Sequence, residues 1–152
     1  MLKANIETFL ACDASYEEAG IVLYGAPFDS TTSYRPGTRF GSRAIRSESY
    51  GLESYSPYQD RDLTDYAVFD AGDQELCFGD ASLALKDLRE RAAEVAGDGK
   101  IPFMLGGEHL VTLAPVQALG REISGSAYRS ILMHMLICGV RLYWVAKTFT
   151  HA

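Results

Sequence analysis

The sequence predicts an α/β domain built on a parallel sheet, and three observations predict it. Short apolar runs at residues 20–24, 66–69 and 101–105 each lead into a turn that contains glycine. An amphipathic helical pattern separates the second run from the third. Another helical pattern, residues 110–119, follows the third. Strands that alternate with helices pair in parallel, because each helix carries the chain back across the sheet.

The elements follow in order. Residues 4–16 suit a short amphipathic helix or an arm. Residues 20–24 end at Gly25 and suit a buried strand. Residues 26–40 are rich in Ser, Thr, Pro and Gly and form a loop. Residues 41–48 allow one or two helical turns. Residues 49–64 are polar and tyrosine-rich without periodicity, so they are expected to be loop. The strand at 66–69 is closed by Asp70-Ala71-Gly72. Asp80 can cap the next helix, since its carboxylate can accept the free N–H groups of the first turn. Ala81, Leu85, Leu88, Ala92 and Val95 then recur at spacings of four and three, which gives one apolar face. Gly97 and Gly99 end that helix. Residues 101–105, Ile-Pro-Phe-Met-Leu, are the third strand. Residues 131–146 are apolar but interrupted by His134 and Arg141, and too short for a membrane span. A parallel sheet cut after its third or fourth strand leaves an open edge. The stretch 131–146 either supplies a strand there or promotes association.

Composition narrows the function. A chain of 152 residues can bury one real core. Its 47% hydrophobic and 22% charged residues are ordinary for a globular protein. A net charge of -6 argues against a nucleic-acid partner, whose phosphates need a basic face. Cys12, Cys77 and Cys138 are far apart and odd in number, which suggests a reducing compartment rather than a disulfide frame. The acidic amino terminus carries no secretory signal pattern. No membrane partner is expected, and a cytoplasmic location is. Gly97-Asp98-Gly99-Lys100 lacks the upstream glycine and the following Ser/Thr of a phosphate loop, which weighs against a nucleotide-binding module.

The most informative string is Gly106-Gly107-Glu108-His109. Two glycines after a strand let the backbone turn tightly and approach other groups closely. They put an imidazole at the carboxyl edge of the sheet, where open α/β proteins hold their chemistry. Such a histidine can ligate a metal or move a proton, or can simply be a satisfied turn residue.

Gly106-Gly107-Glu108-His109 with Thr112 resembles the first metal motif of the ureohydrolases, the arginase and agmatinase family. Two more stretches are similar to the same family, in its order. One is Gly25-Ala26-Pro27-Phe28-Asp29, then residues 33–41 (Ser-Tyr-Arg-Pro-Gly-Thr-Arg-Phe-Gly), then Ala44-Ile45-Arg46. The other is residues 50–58, followed by Asp70-Ala71-Gly72-Asp73. The likeness is closest to agmatinases and covers about residues 5–119. Ser42 departs from it, because a proline is common there.

The resemblance implies a partial three-layer α/β/α arginase-like parallel sheet and a homo-oligomer. It implies hydrolysis of agmatine, or a similar small guanidino compound, to an amine and urea. Two manganese ions would lower the pKa of a bridging water and position it for attack. Carboxylate and imidazole ligands suit manganese. On this chain the resemblance assigns the metal-ligand role to His109 and leaves no catalytic residue. Glu108 would support that ligand from behind; otherwise it is a solvated charge at a helix start. Asp70 and Asp73 hold structural places in the family pattern. Arg35-Pro36-Gly37 is a loop near the site mouth, a subunit contact, or an ordinary turn. Tyr50, Tyr55 and Tyr58 suit packing or oligomer contacts.

The family's next ligands form an Asp-x-His-x-Asp string, and this chain has none. Beyond Glu122 it has no Asp or Glu at all. A one-frame slip accounts for this. Beginning each codon on the third base of the one before, Met133 with His134 must give alanine. His134 with Met135 can give histidine, and Met135 with Leu136 can give alanine. Leu132 and Leu136 give aspartate if their codons end in G. The slipped frame then reads Asp-Ala-His-Ala-Asp. Residues 1–120 are therefore expected to be the amino-terminal part of a ureohydrolase domain, and residues 121–152 an out-of-frame tail, with His134 and His151 no ligands. The truncated chain is expected to be inactive. The alternative is a non-catalytic fragment or interaction module.

Overall fold

The computed structural model describes residues 6–120, 132–137 and 140–145. Their core is a five-stranded sheet in the order β4-β1-β5-β6-β7. The strands are β1 (Ile21–Ala26), β4 (Val68–Asp73), β5 (Ile101–Gly106), β6 (Leu132–Ile137) and β7 (Val140–Val145). β4, β1, β5 and β6 run parallel, and β7 returns antiparallel to β6. β1 pairs with β5 residue for residue from Ile21–Ile101 to Ala26–Gly106.

The central strand β1 is buried along both faces, as a parallel strand covered on each side must be. On one face Tyr24, Ala26 and Met104 pack with Ala84 and Leu88 of α2 (Ala81–Gly97) and Ala114 of α3 (Leu113–Gly120). On the other, Leu23 and Leu105 pack with Cys12, Val68 and Ile45 of α1 (Gly41–Ser49). Helices therefore cover both faces, giving the expected three layers. α2 forms as its pattern requires: Asp80 accepts from Ser82 N–H at 2.8 Å and Leu83 N–H at 3.2 Å. Past Gly97 the chain turns at Gly99, whose φ of 75° favours glycine. Pro115 sits in the first turn of α3, where its missing N–H breaks no helical bond.

Of the two forms expected for residues 4–16, the described residues 6–16 take the arm, joined to the sheet by an antiparallel bridge between Asp13 and Phe69. Three expectations need correction. The stretch 49–64 holds a short hairpin, β2 (Tyr55–Ser56) with β3 (Arg61–Asp62). Asp60 precedes β3 at φ 50°, a turn conformation that aspartate tolerates. β4 begins later than expected and runs on through Asp70-Ala71-Gly72-Asp73, because Asp70 is neutralised inside the fold. The helix expected from residue 110 starts with a 3-10 turn, His109–Thr112, and becomes α-helical at Leu113.

β6 joins β5 in parallel at the Leu105–His134 pair, and β7 extends the sheet beyond it. The stretch 131–146 thus supplies strands. No helix among the described residues is long and apolar enough to cross a membrane.

Candidate functional site

The site is built at the carboxyl end of β5. A Cβ on Gly107 would lie 2.1 Å from the Phe28 carbonyl oxygen and 2.9 Å from that of Ala26. Both are backbone atoms that cannot move aside, so the position needs glycine. This close approach lets Glu108 N–H donate to the Phe28 carbonyl at 2.9 Å. The strand end is thereby locked to the loop that follows β1.

Glu108 is buried, at 5% exposure. Its carboxylate accepts from Thr31 N–H at 3.2 Å and from the Thr31 hydroxyl. The reading of Glu108 as a solvated charge therefore fails. His109, one residue on, is exposed at the start of the 3-10 turn. Among the described residues its ring has no hydrogen-bond partner, and the Glu108 carboxylate bonds go to Thr31.

The facing wall is the loop of residues 28–40, shaped by one buried acid. Asp29 accepts from Gly37 N–H at 2.6 Å, Arg39 N–H at 3.3 Å and Arg39 Nε at 3.0 Å. Burial alone would raise its carboxyl pKa. The Gly37 N–H and the Arg39 donors outweigh that and hold it below the usual carboxylate range. Arg39 also lies 4.2 Å over the Phe78 ring, and Ser30 Oγ donates to the Phe78 carbonyl at 2.9 Å. The loop is thus tied to residues on both sides. Between it and the His109 turn lies a cleft of about 800 Å³, lined by Thr31, Ser33, Arg35, Glu108, His109 and Thr112 among others. Arg35 stands at φ 43° with its guanidinium 5.3 Å over the Tyr34 ring. Of the Arg35-Pro36-Gly37 stretch, Arg35 lines the cleft.

Asp70 and Asp73 are engaged elsewhere. Arg46 Nε and Nη2 donate to the two Asp70 oxygens at 2.8 and 2.9 Å, and Arg46 Nη1 donates to Asp73 at 2.6 Å. Asp70 accepts two more bonds, from Phe9 N–H at 2.8 Å and Gly72 N–H at 2.9 Å. Every lone pair of Asp70 is thereby used in joining arm, helix and strand.

No three His, Cys, Asp or Glu side chains among the described residues come together as a metal site. His109 is one donor, Glu108 is held by Thr31, Asp29 by Arg39 and Asp70 by Arg46. This donor set does not fit a pair of manganese ions. His134 lies in β6, but its side chain is outside the described residues, as are Cys138 and His151. Tyr50, Tyr55 and Tyr58 are exposed. Sequence reasoning missed the two partners that organise the region, Thr31 and Arg46. Arg46 carried a signal, as a cation beside Ile45 in a helix whose other residues are mostly small; Thr31 carried none.

The arginase family model matches residues 19–133. An agmatinase from Bacillus subtilis (strain 168) is 48% identical over 116 residues, which is 76% of this chain and 40% of that protein. The agmatine ureohydrolase of Thermoplasma volcanium, a crystal structure, is 37% identical with a TM-score of 0.71 over 75% of this chain and 39% of that one. A formiminoglutamase from Trypanosoma cruzi, solved with Mn2+, is 25% identical with a TM-score of 0.63 over 74% of this chain and 39% of that one. The chain spans about 40% of the length of the relatives it matches.

Proposed function

This chain belongs to the arginase family, and we propose that it carries the amino-terminal part of an agmatinase-type ureohydrolase. The whole enzyme would hydrolyse agmatine, or a similar small guanidino compound, to an amine and urea with a manganese pair. The observation that carries this reading is the locked Gly107–His109 turn, which presents an imidazole, unbonded among the described residues, on a cleft large enough for such a substrate. The 48% identity to an agmatinase supports the substrate class.

The chain's own residues supply scaffold and one ligand. His109 offers a ligand nitrogen. Glu108, through Thr31, fixes the strand end to the opposite wall and so positions His109. The Asp29–Arg39 pair shapes the cleft. A guanidinium carbon is a poor electrophile and neutral water a poor nucleophile, so one imidazole does not suffice for hydrolysis. The 152-residue chain is therefore inactive by itself. Its residues 121–152 are the product of a frame slip between about residues 120 and 130. Exposed Tyr50, Tyr55 and Tyr58 suit contacts in a homo-oligomer of a cytoplasmic enzyme.

Two measurements test this. The coding DNA should have G at the third position of codons 132 and 136; any other base there refutes the slip. Purified chain with agmatine and manganese should release no urea above a protein-free blank. A version with the frame restored to full family length should release it. Manganese-dependent urea from the 152-residue chain would overturn the reading and favour a complete site.

A further inference from the structure

A second cleft, sharing no residue with the first, lies where β4 leaves the sheet beside α2. Its volume is about 640 Å³. Five carboxylates line it, from Asp73, Glu75, Asp87, Glu90 and Glu94, against the single guanidinium of Arg91. Arg91 is already paired with Glu94 at 3.0 Å, and Asp73 with Arg46. Among the described residues, neither Glu75 nor Asp87 has a cationic partner. The cleft therefore holds uncompensated negative charge.

Its floor holds two unpartnered polar atoms. Tyr24 is 1% exposed, and its ring packs in the core against α2. Tyr24 lines this cleft, and its buried hydroxyl has no hydrogen-bond partner among the described residues. Gln74 donates from Nε2 to the Asp87 carbonyl at 3.0 Å, which aims its amide, yet Oε1 also lacks a partner. Buried polar atoms are nearly always bonded, so an orphan hydroxyl and an orphan amide oxygen on residues lining one cleft mark a place for a polar ligand. Tyr24 is a neutral phenol here, because burial drives its pKa up. Its oxygen can accept, as can Gln74 Oε1 and the carboxylates around them.

The missing group is a multiple donor with positive charge. The carboxylates are spread along α2 and the β4 end, and no three of them converge as a metal-ion site. An extended cation fits that spread better than a compact one. Ala71, Gly72 and the Tyr24 ring give it an apolar strip between the charges. We propose that this cleft binds a linear aliphatic polyamine, with one ammonium on Tyr24 Oη and Gln74 Oε1 and another on Glu75 and Asp87. The assignment rests on the cleft alone and stands whether or not the His109 site belongs to a ureohydrolase.

The test is calorimetric titration of the full chain with spermidine at low salt, repeated with magnesium chloride. Saturable binding near one spermidine per chain is expected, with magnesium at matched ionic strength failing to displace it. The double variant Glu75→Gln with Asp87→Asn changes one exposed and one half-buried side chain and should weaken binding about tenfold. Tyr24→Phe keeps the ring and should weaken it about threefold with the unfolding midpoint unchanged. The absence of saturable binding would overturn the proposal. So would displacement by magnesium, or double-variant affinity equal to that of the parent.

Discussion

Replacing Arg46 by methionine tests the buried network that joins the arm, α1 and β4. Methionine keeps most of the side chain's length, so the change isolates charge and hydrogen bonding from packing. Arg46 and Asp70 are 2% and 1% exposed, and the pair is bidentate at 2.8 and 2.9 Å. Removing one partner of such a pair costs about 3–5 kcal/mol, mostly through the charge left behind. The Asp73 bond adds little, since that side chain is 31% exposed and water screens it. Asp70 keeps the Phe9 and Gly72 N–H donors, which points to the lower end, about 3 kcal/mol. Set against a total stability of about 5–15 kcal/mol, that loss is large. Urea unfolding followed by far-ultraviolet circular dichroism reads it directly. With a slope of about 1–3 kcal/mol per molar, the midpoint should fall by about 1–3 M. Adding Asp70→Asn to Arg46→Met removes the stranded charge and keeps one oxygen, which can accept from the Phe9 or the Gly72 N–H but not from both. The double variant should recover part of the loss. A midpoint shift under about 0.5 M, or strictly additive losses in the double variant, would refute this account of Asp70.

Gly107→Ala should cost at least about 2 kcal/mol, because its Cβ meets fixed backbone 2.1 Å away. Gly97→Ala, at the open end of α2 with nothing within 4 Å, should instead stabilise by about 0.5 kcal/mol; thermal melts separate the two. Asp29 has a depressed carboxyl in the fold, so its stabilisation is complete above the ordinary carboxylate value of about 4 and is lost as pH falls through the lower folded value. Asp29→Asn should therefore be less stable than the parent at pH 7, with the gap closing below about pH 4 in urea titrations against pH. Burial, and then the Asp70 and Asp13 charges, push the Cys12 thiol up to about 12. Iodoacetamide at pH 8 should label exposed Cys77 and spare Cys12 until urea is added, as read by peptide mass spectrometry.

Legibility followed the range of the forces involved. Apolar runs showed β1 and β5, because a strand buried on both faces leaves no alternation to blur. The Asp80 cap and the 4-3 spacing showed α2. The hairpin at Tyr55–Ser56 and Arg61–Asp62 escaped, since two-residue strands have no period to read. The end of β4 escaped for another reason. Asp70 looks like a stop until its cation is known, and that cation, Arg46, is 24 residues away. The Gly-Gly turn was legible as a tight turn that allows a close approach, but the group approached was not. Only the approach of Phe28 shows why a side chain cannot be there.

A strand end next to several acids invites reading each acid as a ligand. Here four such acids have a prior commitment: Asp29 to Gly37 and Arg39, Asp70 and Asp73 to Arg46, Glu108 to Thr31. Moving any of them onto a metal would leave a buried guanidinium unpaired or a loop unheld, at a cost of several kcal/mol. His109 alone is free to turn towards a ligand, since its ring is exposed and unbonded among the described residues. On the proposed reading, the carboxylates of a manganese site are expected from residues other than these four. If the restored frame supplies Asp-Ala-His-Ala-Asp in place of residues 132–136, manganese affinity should rise with that segment. Substituting Asp70 would then lower stability without lowering the metal count per folded molecule. A metal count that fell with Asp70 while the fold stayed intact would return that residue to the ligand set.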